Sequence, residues 1–280
     1  MNIINAIINL VNNPVTKIHQ YYNSRNRANS TGDSLEEYVK DLFADTFNCD
    51  NEPERLEKIQ EVFSYLGNNS NPPDGMLRKG DAIEIKKIES NNSSLALNSS
   101  YPKQKIFSDS PMISSTCRVA ESWKEKDLIY CVGVVSEKKL KHLCFVYGLD
   151  YAASNETYAR IKNTIKVGVE SIPEVEFAET KELGRVNRVD PLGITYLRVR
   201  GMWGIENPWT VFNYVYKRDE SKDFNFMCII NIDKWNELSN TRELEFLVDS
   251  IEELNIENIR IKNPDNPAQL RDAKLIYFSI

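Results

Sequence analysis

Two nearly uninterrupted apolar runs, Leu128 to Val135 and Leu140 to Gly148, stand either side of a four-residue polar link and limit what this chain can fold into. Both are partly β-branched. The link, Ser136-Glu137-Lys138-Lys139, supplies a connection, so the pair reads as a β-hairpin. Helices are expected at about 2–12, 33–47, 53–66, 154–165 and 234–254, and strands at 82–86, 194–200, 210–216, 225–232 and 274–279. The helix at 33–47 puts Leu35, Tyr38, Val39, Leu42 and Phe43 on one stripe. The helix at 53–66 opens with Pro53 after Asn51 and stops at Gly67, following the preference for proline at helix starts and glycine at helix ends. Asn68 to Gly75 reads as a turn-rich link. The order is mixed α/β around a central sheet flanked by helices, with an added β-rich C-terminal portion. No linker demands a second domain.

Composition excludes several classes of function. A 280-residue chain with 41% hydrophobic and 27% charged residues has ample material for one folded core. No run of about 18 apolar residues exists, so no membrane-spanning helix is expected. Met1 to Val11 has no basic residue before its apolar stretch and reads as the first helix of the fold, not as a secretory signal. The five cysteines (Cys49, Cys117, Cys131, Cys144, Cys228) are odd in number and none stands in a CxxC pair. They are expected to be buried, reduced thiols of a cytoplasmic protein. Only His19 and His142 are present, which excludes a three-histidine metal site and leaves a serine hydrolase poorly supplied. For an enzyme, carboxylates and lysines are the better-supplied candidates for catalysis.

The net charge of −6 is unevenly spread, because residues 36–61 alone hold nine acids against three bases. The remainder balances to zero and contains basic islands at Lys181 to Arg200 and around Lys103 and Lys105. A locally basic nucleic-acid groove is compatible with that distribution.

The chemically informative stretch is Pro72-Pro73-Asp74-Gly75 followed by Ala82-Ile83-Glu84-Ile85-Lys86. Residues two apart on a strand share a face, so Glu84 and Lys86 project together while Ile83 and Ile85 face the core. A short hairpin return brings Asp74 beside Glu84. Two adjacent carboxylates repel unless a cation lies between them, and Mg²⁺ takes hard oxygen ligands. With a lysine to orient water and steady phosphorane charge, the set suits metal-assisted phosphodiester hydrolysis. The plainer alternative is a Pro-Asp turn leading to an edge strand with an exposed Glu and Lys. On the helix at 33–47, Glu36 sits beside the apolar stripe, within reach of a neighbouring strand, whereas Glu37 is expected on the solvated side. Arg25 and Arg27 precede this helix among small hydrogen-bonding residues suited to phosphate contact.

Pro73-Asp74, Glu84-x-Lys86 and the upstream Gly32-x-x-x-Glu36 resemble the PD-(D/E)xK nuclease superfamily, in particular type II restriction endonucleases. Asn26-Arg27-Ala28-Asn29-Ser30 running into Gly32-Asp33-Ser34-Leu35-Glu36, and Leu97-Asn98-Ser99-Ser100-Tyr101-Pro102-Lys103, resemble the NgoPII-type enzymes. The resemblance implies a single restriction-endonuclease-like domain over 1–280, with a catalytic core at about 30–150 and DNA-recognition elements within 95–105 and 180–210. It implies a homodimer that cuts double-stranded DNA at a short palindrome, GGCC, with Mg²⁺ as cofactor, beside a companion methyltransferase acting on the same site. In its terms Asp74 and Glu84 bind metal, the Ile85 carbonyl adds a ligand, Lys86 assists the attacking water, and Glu36 is an accessory carboxylate.

For DNA contact the candidates are Arg25, Arg27, Asn98, Ser99, Ser100, Lys103 and Lys105, with Arg185, Arg188, Arg198 and Arg200 as the densest arginine group. Arginine can bind guanine O6 and N7 with two parallel hydrogen bonds, though phosphate contact or plain surface charge is an alternative for each. Trp203 and Trp209 read as dimer contacts or as core and loop anchors. Two other functions remain open at this point: a repair or junction-resolving nuclease, and a DNA-binding module without catalysis.

Overall fold

The computed structural model describes residues 1–25, 27–28, 30–68, 71–97, 100–180 and 182–280. Four helices open the chain: α1 (Ile3–Asn12), α2 (Ile18–Asn23), α3 (Thr31–Ala44) and α4 (Glu52–Val62). Asn2, Ser30 and Asn51 cap α1, α3 and α4 by accepting N–H bonds from the first turn. There follow β1 (Phe63–Asn68), β2 (Asn71–Leu77), β3 (Ala82–Ile88), β4 (Leu95–Ala96), β5 (Lys105–Phe107), α5 (Ser115–Val119), β6 (Glu125–Ser136) and β7 (Lys139–Tyr147). An excursion comprises α6 (Gly148–Tyr151), α7 (Asn155–Glu170), β8 (Glu176–Phe177), β9 (Gly184–Asn187), β10 (Leu197–Val199), β11 (Gly204–Ile205) and α8 (Pro208–Val211). The chain closes with β12 (Asn225–Asn231), α9 (Ile232–Glu237), α10 (Thr241–Val248), β13 (Leu254–Asn263) and β14 (Asn266–Ser279).

The main sheet has the order β1-β2-β3-β6-β7-β12-β14-β13, with β5 beside β6. Its β3/β6 and β7/β12 pairs are parallel and its other pairs antiparallel, the mixed α/β architecture expected. The apolar hairpin lies at the centre as β6 and β7. Its side chains alternate between two cores: Ile129 and Cys131 join the helical layer of α1 and α3, while Leu128, Tyr130 and Val132 join the opposite layer. Burial on both faces explains why the runs carry so few polar residues.

Close approach of α3 to β6 depends on Gly133, where an added Cβ would lie 2.6 and 2.8 Å from the Leu35 methyls. Gly133→Ala is expected to press α3 away from the sheet at a cost of about 1–3 kcal/mol. The check is a lower urea midpoint with an unchanged slope.

A buried ion cluster ties α3 to α4. Arg55 Nε lies 2.7 Å from Asp41, Arg55 Nη2 lies 2.5 Å from Glu37, and Arg55 Nη1 lies 3.1 Å from Glu52. Asp41 also accepts from the Tyr22 hydroxyl at 2.7 Å and from Thr46. Glu37 is therefore not on a solvated face as expected. Docking of α4 covers it, and Lys40 and Arg55 hold its carboxyl below the usual range against the opposing effect of burial.

Other expectations need correction. The helix expected to reach 66 ends at Val62, because Phe63 turns into the core as the start of β1. Gly67 is not a helix stop: a Cβ there would lie 2.3 Å from the Pro73 carbonyl oxygen, so glycine lets β1 and β2 approach. Residues 71–77 are strand β2, not a link. Its prolines fall where the β1 ladder is irregular between Leu66 and Asn68 and before the β3 ladder begins at Gly75, so no ladder donor is lost. The strand expected at 210–216 is replaced by α8, which Pro208 starts and the Asn207 side chain caps. The helix expected at 234–254 is two helices, α9 and α10, and its last residue belongs to β13, an unforeseen edge strand paired along β14. Only Leu197–Val199 of the strand expected at 194–200 is regular. All five cysteines are free and four are buried, as expected, whereas Cys49 is only partly buried.

Candidate active site

The site forms where a ladder stops. β2 and β3 pair through Gly75↔Ile83 and Met76↔Ala82. Beyond that point the Ile85 amide meets a side chain instead of a strand, donating 2.6 Å to Asp74 Oδ2. The turn at residues 78–81 thus brings Asp74 beside Glu84, as the hairpin expectation required. Lys86 Nζ lies 2.6 Å from Glu84 Oε1 and 3.8 Å from Asp74 Oδ2. The three side chains are only 14 to 24% exposed. They share the face of the sheet that carries Ala82 and Ile88, while Ile83 and Ile85 enter the helical core.

Electrostatics at this point are unfavourable for anions. Burial, then the charge of Glu84, push the Asp74 carboxyl up to about 7, with Lys86 and the Ile85 amide opposing. Burial works against the Lys86 charge, but Glu84 and Asp74 outweigh it and hold the ammonium above its usual value. Glu84 Oε2 is buried with no hydrogen-bond partner among the described residues. Glu36, on α3, is half-buried, and that burial raises its carboxyl. It interacts with Lys86 and Asp74 only through space, without an ion pair among the described residues. No group of three His, Cys, Asp or Glu side chains forms a metal cage among the described residues. The oxygen set is instead Asp74, Glu84 and nearby backbone, which suits a hard cation that keeps several waters.

Tyr130 is a site neighbour that the sequence did not reveal. It is the β6 register partner of Glu84, and its hydroxyl brackets Lys103, accepting from the amide at 2.8 Å and donating to the carbonyl at 3.3 Å. Only the parallel pairing of β3 with β6 makes them neighbours. Lys103 Nζ donates to the Ser100 hydroxyl and to the Tyr101 carbonyl. Asn98 and Ser99 lie outside the described residues, as do Asn26 and Asn29 of the upstream string.

The remaining basic candidates are dispersed. Arg25 covers the Tyr21 ring at 3.8 Å, and Arg27 pairs with Glu52 at 2.7 Å. Lys105 pairs with Glu125 at 2.8 Å and with Asp127 at 3.5 Å. Arg185 and Arg198 are cross-strand partners in the small β8-β9-β10 sheet. With Arg200, two residues on, they share its outer face, where Arg185 lies over Tyr196 at 5.4 Å. Arg198 and Arg200 pair with Glu182 at 2.6 and 2.7 Å, and Arg188 with Glu176 at 3.0 Å. Trp209 is buried in the second core, and Trp203 packs against it. A cavity of about 620 Å³ around Asp81, Asp127 and Lys234 is not lined by Asp74, Glu84 or Lys86. Its charges are mutually compensated, Lys234 lying 3.1 Å from Asp81 and 2.6 Å from Asp127.

A family model described as NgoPII restriction endonuclease matches residues 1–262. The type II restriction enzyme NgoPII of Neisseria gonorrhoeae is 63% identical over 281 residues, covering 100% of each chain. No solved structure matches the chain.

Proposed function

Because the chain belongs to the NgoPII restriction endonuclease family, and is a type II site-specific deoxyribonuclease, we propose that Asp74, Glu84 and Lys86 form a PD-(D/E)xK active site hydrolysing double-stranded DNA with Mg²⁺. One observation carries this reading: Glu84 Oε2 is buried without a hydrogen-bond partner among the described residues, next to a second carboxylate. Lys86 answers Glu84 Oε1, so Oε2, beside the Asp74 carboxyl, is the oxygen left to a divalent cation.

Asp74 and Glu84 hold the ion. The Ile85 carbonyl, on the strand edge whose amide orients Asp74, is a third ligand, since an extended residue directs both backbone groups to one side. When bound there, Mg²⁺ lowers the pKa of water and offsets phosphate charge. Lys86, steadied by Glu84, orients the attacking water and donates to a phosphate oxygen as negative charge builds on it. Glu36 acts as an accessory carboxylate from α3.

The substrate is a short palindrome, GGCC, cut by a homodimer, since two strands need two hydrolytic sites and each chain supplies one set of these residues. Arg25, Arg27, Asn98, Ser99, Ser100, Lys103, Lys105, Arg185, Arg188, Arg198 and Arg200 supply DNA contacts. The unit is a single domain over 1–280, its catalytic core at about 30–150 and its recognition elements within 95–105 and 180–210. A companion methyltransferase protects the host's own sites, and the place of action is the cytoplasm.

Incubation with plasmid DNA and Mg²⁺ is expected to give discrete fragments whose ends all map to GGCC. EDTA should suppress them, and prior methylation at GGCC should protect the plasmid. Random nicking, or ends without a common sequence, would contradict the proposal.

A further inference from the structure

The arm formed by β9 and β10 carries an apolar tip into solvent. Val189, Leu192, Ile194, Tyr196, Leu197 and Met202 are all exposed, Leu192 at 81% and Ile194 at 77%. Single exposed apolar side chains are ordinary, but this grouping within residues 189–202 is a patch of the kind that marks an interaction surface.

The tip is held in one shape. Gly193 donates its N–H to the Asp190 carbonyl at 2.8 Å, closing the turn Asp190-Pro191-Leu192-Gly193. The Asp190 carboxylate accepts from the Thr195 amide at 2.6 Å and from the Ile194 amide at 3.4 Å, and Gly193 takes a φ of 70°. Asp, Pro and Gly are what such a turn favours at its first, second and fourth positions. Nothing in turn chemistry calls for a large apolar side chain at the third, yet Leu192 stands there. That is a local inconsistency of the kind that marks function.

The base of the arm is anchored close to the catalytic strand. Val186 is buried, and Gly184 sits against Val169 of α7. Beyond β10, the Trp203 carbonyl accepts from the Leu97 amide at 2.8 Å, and β11 pairs with β4, the next strand after β3. Charge selects the occupant. Residues 184–200 hold Arg185, Arg188, Arg198 and Arg200 against one acid, Asp190. Arg188, Arg198 and Arg200 pair with Glu176 and Glu182 while 46 to 68% exposed, and pairs so open to water are weak enough to be exchanged for phosphates. A protein surface closing over the tip would have to desolvate these guanidinium groups instead.

We propose that Leu192 is an apolar wedge that enters the DNA base stack and opens one base step, while the arginines of the arm hold the flanking phosphates. Leucine and isoleucine act as wedges where proteins kink a duplex, the unstacking cost being offset by the protein surface that the bent DNA meets. The inference rests on the nuclease reading for DNA as the ligand. Leu192 shapes the duplex and takes no part in the hydrolysis.

The test uses a set of duplexes with 2-aminopurine at successive positions in and beside the cut site, bound in EDTA over a NaCl series. Its fluorescence rises on unstacking, and the parent is expected to raise it severalfold at one step. Leu192→Ala should abolish that rise and weaken binding about tenfold or more, from the loss of one leucine's apolar burial. The slope of log affinity against log salt should stay unchanged, because an apolar contact releases no counterion. Leu192→Met should retain the rise. Phe246→Ala, at an apolar side chain of α10 that is 77% exposed, should behave as the parent. A signal flat at every position, or a rise that survives Leu192→Ala, would overturn the wedge alone. So would a halved mass of Leu192→Asp in sedimentation, which would assign the tip to a second copy of the chain. A parent that unstacks DNA but cuts none would overturn the nuclease reading and spare the wedge.

Discussion

Asp74→Ala is expected to lower single-turnover DNA cleavage by about 10³-fold or more, the upper end of what losing one preorganised electrostatic contact costs. Lys86→Ala should do the same. Asp74→Asn is the sharper test, because its amide oxygen can still accept the Ile85 N–H bond, now 2.6 Å long, while the charge is gone. That variant should be as inactive as Asp74→Ala. Its melting temperature in EDTA should be no lower than that of the parent, since the repulsion from Glu84 is relieved. Activity commonly sits where stability has been given up. Cleavage persisting at more than a hundredth of the parent rate in either Asp74 variant would remove that residue from the chemistry; this bound is about 2.7 kcal/mol in barrier.

Arg55→Met should be the most destabilising change of those considered, at about 3–5 kcal/mol. Removing the guanidinium strands Asp41, whose side chain is 1% exposed, and Glu37, at 18%, as uncompensated anions. Burial alone disfavours the Arg55 cation, but Asp41 and Glu37 more than offset this and hold its pKa above the ordinary value. Arg55→Lys is expected to recover only part of the loss, because an ammonium cannot reproduce the fork that meets Asp41, Glu37 and Glu52 separately. Urea unfolding monitored by circular dichroism measures both. A loss under 1 kcal/mol for Arg55→Met would mean the cluster is hydrated and weak. Since α3 carries Glu36 and is pinned by this cluster, residual activity at low temperature should fall with stability.

Much of the site could be read from spacing alone. Glu84 and Lys86 share a face because they are two residues apart on a strand, and that relation holds in any sheet. A four-residue return was enough to set Asp74 against Glu84. Glu37 departs from its expected solvated side for a definite reason: helical periodicity places a residue on a face of its own helix, but whether that face meets water depends on what docks there. α4 docks there. The end of α4 and the start of α8 depart from expectation for another reason, since Phe63 and Pro208 obey packing and capping more than the periodicity around them.

The order of residues by itself determined the central hairpin of β6 and β7, the inward and outward faces of β3, and the pairing of carboxylates with lysine that marks the chemistry. Each follows from the direction of a side chain relative to its own backbone, which is a local property. Tertiary structure alone decided that Tyr130 stands beside Glu84, that Tyr101 stacks on Tyr158 of α7, and that the arginines of β9 and β10 face out from a small separate sheet. Those neighbours come from strands and helices far apart in the chain, and burial of whole faces sets their register.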